Sequence, residues 1–290
     1  MRKKERLLIC TDLDRTLIPN GPQPASPGSL ARFTALVSRP EVELTYVSGR
    51  HSDLIEEAIV EHGLPVPDFV IGDVGTTIYH VGDEHDWTSQ HRWEDIIGPD
   101  WCGRDHADLE RLLADLPELR LQEADKQNRF KLSYYVELHH DQDQVESVIL
   151  ERMQRAGIKT RLIWSIDDPD GIGLLDILPE GASKFHAIEA LMEQQGYTFR
   201  NTVFCGDSGN DLEVMVSPLQ AVVVANAEPE IKEQAREQAA ELGNSDQLFV
   251  ARGGFMGMNG NYSAGMLEGI AHYCPETVDW MGFRMKRASA

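Results

Sequence analysis

Short apolar runs alternate with stretches of helical periodicity over the first part of the chain. Buried strands are predicted at residues 7–11, 42–47 and 69–72. Between them, apolar side chains recur at helical spacing in two places. One predicted helix begins at Pro27 and is expected to be capped by Ser26; the other covers 54–59 and is expected to end at Gly63. This order of strands and helices indicates right-handed crossovers on a parallel sheet.

The same rhythm returns near the C-terminal end, whereas the middle of the chain differs. Near the end we predict helices at 184–195, after 210, at 229–242 and after 263, and strands at 202–205, 221–225 and 248–250. In the middle we predict strands near 119–122, 130–138, 159–166 and 173–178, helices at 108–116 and 144–156, and a turn at 167–171. We therefore expect an α/β protein: a Rossmann-like parallel-sheet core (1–81 and 179–290) with an inserted α+β cap domain (82–178).

Charge and composition narrow the class of protein. The 290 residues include 27 Lys and Arg and 48 Asp and Glu, for a formal net charge of −21. Nucleic acids and acidic membranes are bound through Lys and Arg, so we expect neither as a partner. Apolar runs stay well below the roughly 20 residues of a membrane helix, and the four cysteines are widely spaced. No secretion signal is found before Asp12, so we expect a cytoplasmic protein. We also expect a monomer.

Acidic side chains follow two of the predicted core strands. Asp12 and Asp14 come where the first strand ends, and Asp207 and Asp211 follow the strand at 202–205. Ligands of open α/β sheets bind beyond these strand ends, where one carboxylate could attack phosphorus and another move a proton. The alternatives are that Asp-x-Asp is a turn and that Asp207 caps a helix, although capping explains only part of the cluster. Four clustered carboxylates need a cation, and oxygen ligands favour Mg²⁺.

Two further residues suit a phosphate group. Ser48 ends the second predicted strand just before a helix, whose first N–H groups can bind an anion, although Ser-Gly is also a common turn. Lys184 begins a helix, where a positive charge opposes the helix dipole. A lysine in that place either binds phosphate or the nucleophile, or is a solvated surface residue.

Taken together, these segments resemble the four motifs of the haloacid dehalogenase superfamily of phosphatases. The first motif, Asp-x-Asp-x-Thr, matches residues 12–16; the second and third match Ser48 and Lys184; the fourth matches 206–211. The resemblance implies that Asp12 is the nucleophile, Asp14 the general acid/base, and Ser48 and Lys184 phosphate ligands. The implied Mg²⁺ ligands are Asp12, Asp14 through its backbone carbonyl, Asp207, and Asp211 as a ligand or a nearby acid. The implied substrate contacts in the core are Leu13, Gly49, Arg50 and Asn210.

The inserted segment resembles the cap of the Cof-like branch, and residues 73–79, 125–134, 176–184 and 261–270 resemble sucrose-phosphate phosphatases. This implies hydrolysis of sucrose 6-phosphate, with a sugar phosphate as substrate and sucrose-phosphate synthase as a candidate partner. In the cap, Gln127 and Asn128 are expected to bind sugar hydroxyls or, alternatively, to form only a turn. Arg15 departs from the asparagine or glycine usual in the family.

Other functions stay open at this point. The chain could act on another sugar phosphate, such as mannosyl- or glucosyl-glycerate phosphate, or transfer phosphate as phosphomannomutase does. A non-catalytic partner domain is disfavoured, because all the acids and Lys184 are present, although a fold alone does not decide function.

Overall fold

The computed structural model describes residues 6–82, 86–167 and 171–282. The strands are β1 Leu7–Thr11, β2 Val42–Val47, β3 Phe69–Gly72, β4 Thr77–Val81, β5 Trp87–Ser89, β6 Arg120–Leu121, β7 Leu132–Val136, β8 Thr160–Asp167, β9 Ile172–Pro179, β10 Thr202–Gly206, β11 Gln220–Val223 and β12 Leu248–Val250. The α-helices are α1 Ser29–Val37, α2 Ser52–His62, α3 His91–Ile97, α4 His106–Leu113, α5 Gln142–Arg155, α6 Lys184–Gln195, α7 Leu212–Met215, α8 Pro229–Glu241 and α9 Ser263–Tyr273.

The larger sheet has eight strands in the order β12-β11-β10-β1-β2-β3-β4-β5. The strands from β12 to β3 pair in parallel, whereas β4 and β5 pair antiparallel. Every residue of β1 is buried, as expected for a parallel strand that is covered on both faces. Thr11 at its end is in register with Tyr46 on β2 and Cys205 on β10, so the ends of these three strands lie side by side.

The smaller sheet belongs to the inserted segment. Its order is β6-β7-β9-β8, and all its pairings are antiparallel. Helices α4 and α5 contribute buried apolar side chains, among them Leu109 and Ile149, that pack in one cluster with Leu132 and Ile177 of this sheet. The expected fold class is confirmed: an α/β part with a mainly parallel sheet, and an inserted α+β part with a smaller antiparallel sheet.

The division into a core and a cap remains a prediction, but strand pairing suggests a different position for its first boundary. β5 lies inside the predicted cap segment 82–178, yet it pairs with β4 in the larger sheet through Tyr79↔Ser89 and Val81↔Trp87. Drawn by strand pairing, the first boundary falls after Ser89 rather than at residue 82. We use "core" below for the part that contains the larger sheet and "cap" for the part that contains the smaller sheet.

Most predicted elements are confirmed, but the start of α1 is wrong. This helix begins at Ser29 after Gly28, whose φ of 76° is left-handed, and not at Pro27. Ser26 does not cap the helix, because its hydroxyl donates to Oδ1 of Asn259 at 2.8 Å and accepts from the N–H of the same residue at 2.9 Å. Strands β4 and β5 and helix α3 were not predicted from the sequence.

The turn predicted at 167–171 lies largely outside the described residues, although β8 and β9 pair on either side of it. Among the helices described, none has the length and apolar character needed to span a membrane.

Candidate active site

Asp12 is the first residue after β1, at the carboxyl edge of the larger sheet. Its N–H donates to the carbonyl oxygen of Cys205 on β10 at 2.9 Å, which fixes its backbone against the neighbouring strand. Its side chain is buried, and Oδ1 accepts a hydrogen bond from Nζ of Lys184 at 2.9 Å. The parallel sheet and the start of α6 thus bring together two residues that are 172 positions apart in the sequence.

Lys184 is enclosed by acceptors. Its ammonium donates to Oδ1 of Asp12 at 2.9 Å, Oδ1 of Asn210 at 2.9 Å and Oδ1 of Asp211 at 2.6 Å, which uses all three of its donors. Burial by itself lowers the pKa of Lys184, but the charges of Asp12 and Asp211 outweigh it and raise the pKa above its usual value. The side chain is only 2% exposed, so Lys184 is not a solvated surface residue.

Three buried carboxylates form a compact group. One oxygen from each of Asp12, Asp207 and Asp211 lies within 4.8 Å of the other two. Burial and the charge of Asp211 raise the pKa of Asp207 to about 7, and burial raises the pKa of Asp12 in spite of Lys184. Carboxylates crowded in this way become stable as anions when a cation lies among them. This set of oxygen donors fits Mg²⁺, which typically binds to few carboxylates and to substrate phosphate.

Within this group, Asp211 has the least freedom to bind a metal directly. Its Oδ1 accepts from Lys184, and its Oδ2 accepts from the N–H groups of Asp207 at 3.2 Å and Ser208 at 3.4 Å. These bonds hold the loop after β10 in shape. They favour Asp211 as the nearby acid, with Asp12 and Asp207 as the carboxylates that face a metal.

Asp14 stands apart from the group formed by Asp12, Asp207 and Asp211, and it pairs with Arg50. Its carboxylate accepts two hydrogen bonds from the guanidinium and a third from Nδ2 of Asn20 at 2.7 Å. The side chain of Asp14 is 40% exposed and lines the cleft described below. A contribution from Asp14 to a metal site would therefore come from its backbone carbonyl, as the resemblance implies, because Arg50 and Asn20 already engage its carboxylate.

Ser48 lies one residue beyond β2 and is buried at the floor of the same cleft. Its hydroxyl oxygen accepts from the N–H of Arg50 at 3.1 Å, so the hydroxyl can still donate its own hydrogen to a ligand oxygen. Gly49 and Arg50 also line the cleft. The structure thus places Ser48, Gly49 and Arg50 in one turn that faces Asp12 and Asp14.

The cleft has a volume of about 440 Å³ and lies between the core and the cap. Asp12, Asp14, Ser48, Asp207 and Asn210 are among the residues of its core wall. The cap wall is mainly polar and includes Gln122, Lys126, Lys131, Tyr135, Ser165 and Asp176. A carboxylate-rich floor that faces a wall of hydroxyl, amide and charged groups suits a ligand that is both phosphorylated and rich in hydroxyls.

Of the predicted substrate contacts, Gly49, Arg50 and Asn210 lie in this cleft and Leu13, Gln127 and Asn128 do not line it. Leu13 is fully buried in the apolar core. The Gln127 amide is engaged by backbone groups of Gln122 and Ser133.

The Asn128 amide is engaged as well. It donates to Oγ1 of Thr76 at 2.9 Å and accepts from the N–H of Phe130 at 2.8 Å. The positions of the Gln127 and Asn128 side chains therefore favour the turn alternative over sugar binding.

The charged residues of the cap wall were not among the predicted site residues. Lys131 stands between the buried residues Phe130 and Leu132, and it is itself only 5% exposed. A lysine inside an apolar segment, with a carboxylate such as Asp73 to pair with it, is a signal that could have pointed to this position, because charged residues are rarely buried unless they are paired.

Comparison with known proteins identifies the family. A family model described as sucrose-6F-phosphate phosphohydrolase matches residues 5–274. The chain belongs to this family. It thereby falls in the class of phosphoric monoester hydrolases with the haloacid dehalogenase fold, in agreement with the resemblance found in the sequence.

Individual relatives agree with the family. A protein of Nitrosococcus oceani described as a putative HAD-like hydrolase is 52% identical over 278 residues, which cover 96% of this chain and 74% of the relative. Sucrose-phosphatase 1 of Nicotiana tabacum is 31% identical over 276 residues, and the match covers 92% of this chain but 59% of the tobacco protein.

Among solved structures, the sucrose-phosphatase from Synechocystis sp. PCC6803, in complex with sucrose and phosphate, superposes with a TM-score of 0.72. The match is 24% identical and covers 93% of this chain and 98% of that chain. At this level of identity the likeness shows that the two proteins share a fold.

Proposed function

We propose that this chain is a Mg²⁺-dependent phosphatase that hydrolyses sucrose 6-phosphate to sucrose and phosphate through a phosphorylated Asp12. The observation that carries the proposal is the hydrogen bond from Lys184 to Asp12, because Asp12 lines a cleft together with Asp14, Ser48 and Asp207. Membership of the sucrose-6F-phosphate phosphohydrolase family supports the choice of substrate.

The chemistry divides between Asp12 and Asp14. In the first step an oxygen of Asp12 attacks phosphorus and the bond from phosphorus to the sugar oxygen breaks, while Asp14 gives its proton to the departing sugar oxygen. In the second step Asp14 takes a proton from water, the water oxygen attacks phosphorus, and the bond to Asp12 breaks. Phosphate leaves, and Asp14 carries the proton that the next cycle needs.

The surrounding groups hold the reacting atoms in place. Lys184 keeps Asp12 oriented and offsets part of its charge, and Ser48 can donate to a phosphate oxygen. Arg50 fixes the direction of the Asp14 carboxylate. Mg²⁺ held by Asp12 and Asp207 would stabilise the negative charge on the phosphoryl oxygens.

Selectivity for the sugar would come from the cap wall, because the core supplies only phosphate chemistry. Buried polar groups that pair with hydroxyls discriminate against ligands that lack them, since their own hydrogen bonds would then be lost. The cap wall offers polar side chains in Gln122, which is buried, and in Tyr135, Ser165 and Asp176, which are partly exposed and which a bound sugar would cover. Sucrose-phosphate synthase as a partner and a monomeric state both stay predictions.

The test of the substrate is a panel measured as kcat/KM for phosphate release. It contains sucrose 6-phosphate, glucose 6-phosphate, fructose 6-phosphate, and mannosyl- and glucosyl-glycerate phosphates. The proposal expects sucrose 6-phosphate to be preferred. Preference for another member would overturn the substrate and leave the phosphatase chemistry in place, whereas sugar isomerisation without phosphate release would indicate a mutase.

A further inference from the structure

A strained turn connects β3 to β4 at residues 73–76. Three residues in a row have left-handed backbone conformations, with φ of 52° at Asp73, 59° at Val74 and 96° at Gly75. A positive φ is unusual for a β-branched residue such as valine. Strain of this kind persists only where the surroundings hold it, and it is concentrated at functional sites.

On the core side, the 73–76 turn contacts both segments that are expected to hold phosphate. The N–H of Asp73 donates to the carbonyl oxygen of Arg50 at 3.0 Å, and the N–H of Val74 donates to that of Ser48 at 3.1 Å. Gly75 lies so close to α6 that an added Cβ would be 2.4 Å from the carbonyl carbon of Ser183 and 2.7 Å from the nitrogen of Lys184. A shift of the turn would therefore shift Ser48 or Lys184.

On the cap side, the same turn contacts the segment that enters β7. The Asn128 amide donates to Oγ1 of Thr76, and Nζ of Lys131 lies 3.5 Å from Oδ1 of Asp73. Asp73 and Lys131 are 3% and 5% exposed, so this is a buried ion pair, and Lys131 reaches the wall of the cleft. A buried pair is often no more stable than two apolar side chains of the same size, so stability alone does not account for it.

We infer that the 73–76 turn couples the cap wall to the phosphate site, with Asp73 as a positioning residue that holds Lys131 in the cleft. The inference deepens the proposed function and rests on it. A substrate whose sugar contacts the cap would bind against a Lys131 that is fixed relative to Ser48 and Lys184. A small phosphate ester that does not reach the cap gains less from this arrangement, because binding energy from remote groups is then missing.

The experiment compares kcat/KM for sucrose 6-phosphate with that for p-nitrophenyl phosphate in the parent, Asp73→Asn, Lys131→Met and the double variant. In each single variant the loss on sucrose 6-phosphate should exceed the loss on p-nitrophenyl phosphate by about tenfold or more, mainly through KM. The double variant should lose no more than the worse single one, because the two residues act as one unit. It lacks both buried charges and should fold even if a single variant does not. Asp143→Asn, at an exposed cap carboxylate, is the matched control and should behave as the parent.

Equal losses of kcat/KM on the two esters, or additive losses in the double variant, would refute the coupling and leave the phosphatase proposal intact. A parent that releases phosphate from neither ester would instead refute the proposed function.

Hydrogen exchange gives a readout that needs no turnover. In the parent, added inorganic phosphate should slow amide exchange at residues 48–50 and also at 128–136. In Asp73→Asn only the first effect should remain. Equal slowing of the cap segment in both proteins, or none in the parent, would contradict the inference.

Discussion

Arg50 holds the carboxylate of Asp14 with two hydrogen bonds, from Nε to Oδ2 at 2.8 Å and from Nη2 to Oδ1 at 2.6 Å. Both residues lie in the wall of the cleft, and they are 36 positions apart in the sequence. The planar guanidinium matches the two carboxylate oxygens, so it fixes the direction of the group as well as its place. The proposed general acid/base is thereby oriented before a substrate arrives.

The first prediction concerns this pair. Arg50→Lys should lower kcat by about ten- to a hundredfold, because a lysine keeps the charge but cannot hold both oxygens in one plane. Phosphate release under saturating substrate is the measurement, and Arg236→Lys, in an exposed ion pair on α8, is the control. If the Arg50→Lys enzyme had the kcat of the parent, the two hydrogen bonds from the guanidinium to Asp14 would not be needed for turnover.

The second prediction concerns Lys184. Lys184→Met leaves the buried carboxylates of Asp12 and Asp211 without their cation, which should cost about 3–5 kcal/mol of unfolding free energy. Activity should be lost as well. Urea unfolding in the presence of EDTA measures the first effect, and Lys159→Met, at an exposed position, is the control. If both variants unfolded at the same urea concentration, the ion pairs of Lys184 would not be what stabilises this site.

The third prediction concerns metal removal. EDTA should abolish phosphate release and Mg²⁺ should restore it, whereas Ca²⁺ should restore it poorly because its coordination is larger and looser. Asp207→Asn should weaken Mg²⁺ binding, measured by calorimetry. Full activity after exhaustive chelation would contradict a metal requirement.

The fourth prediction separates close contact from backbone strain. Gly75 and Gly103 both have positive φ, 96° and 80°, but an added Cβ meets the backbone of α6 only at Gly75. Alanine at either site should cost about 1–2 kcal/mol for the left-handed conformation. At Gly75 overpacking should add about 1–3 kcal/mol. Thermal unfolding of the two alanine variants is the measurement. Equal destabilisation would mean that the 73–76 turn moves away from α6 at no cost.

Much of the core could be predicted from the sequence because its strands are short, apolar and bounded by clear turn residues. Asp12, Ser48 and Asp207 follow strands whose ends a parallel sheet brings together, so the topology alone places them near one another. Lys184 stood out because a positive charge at the start of a helix opposes the helix dipole, but the sequence left open whether it binds an anion or is solvated at the surface.

The cap could not be predicted to the same depth. The direction of the Asn128 side chain depends on Thr76, which lies 52 residues earlier, and no local pattern encodes that contact. β5 has only three residues and carries little periodicity, so its pairing with the larger sheet was not visible. Lys131 stands out only as a lysine inside an apolar segment, and the sequence does not show that its partner is Asp73.

Asp12 is proposed to be the group that attacks phosphorus. Asp12→Asn keeps the shape of the side chain and removes its ability to act as a nucleophile, since an amide does not attack phosphorus. The same exchange at Asp246, an exposed carboxylate, is the matched control, and thermal unfolding checks that both variants are folded. The direct measurement is kcat for phosphate release from sucrose 6-phosphate and p-nitrophenyl phosphate in the presence of Mg²⁺. We predict a loss of at least about a thousandfold on both esters in Asp12→Asn and none in Asp246→Asn. A folded Asp12→Asn protein that keeps activity within about tenfold of the parent would show that Asp12 is not the nucleophile.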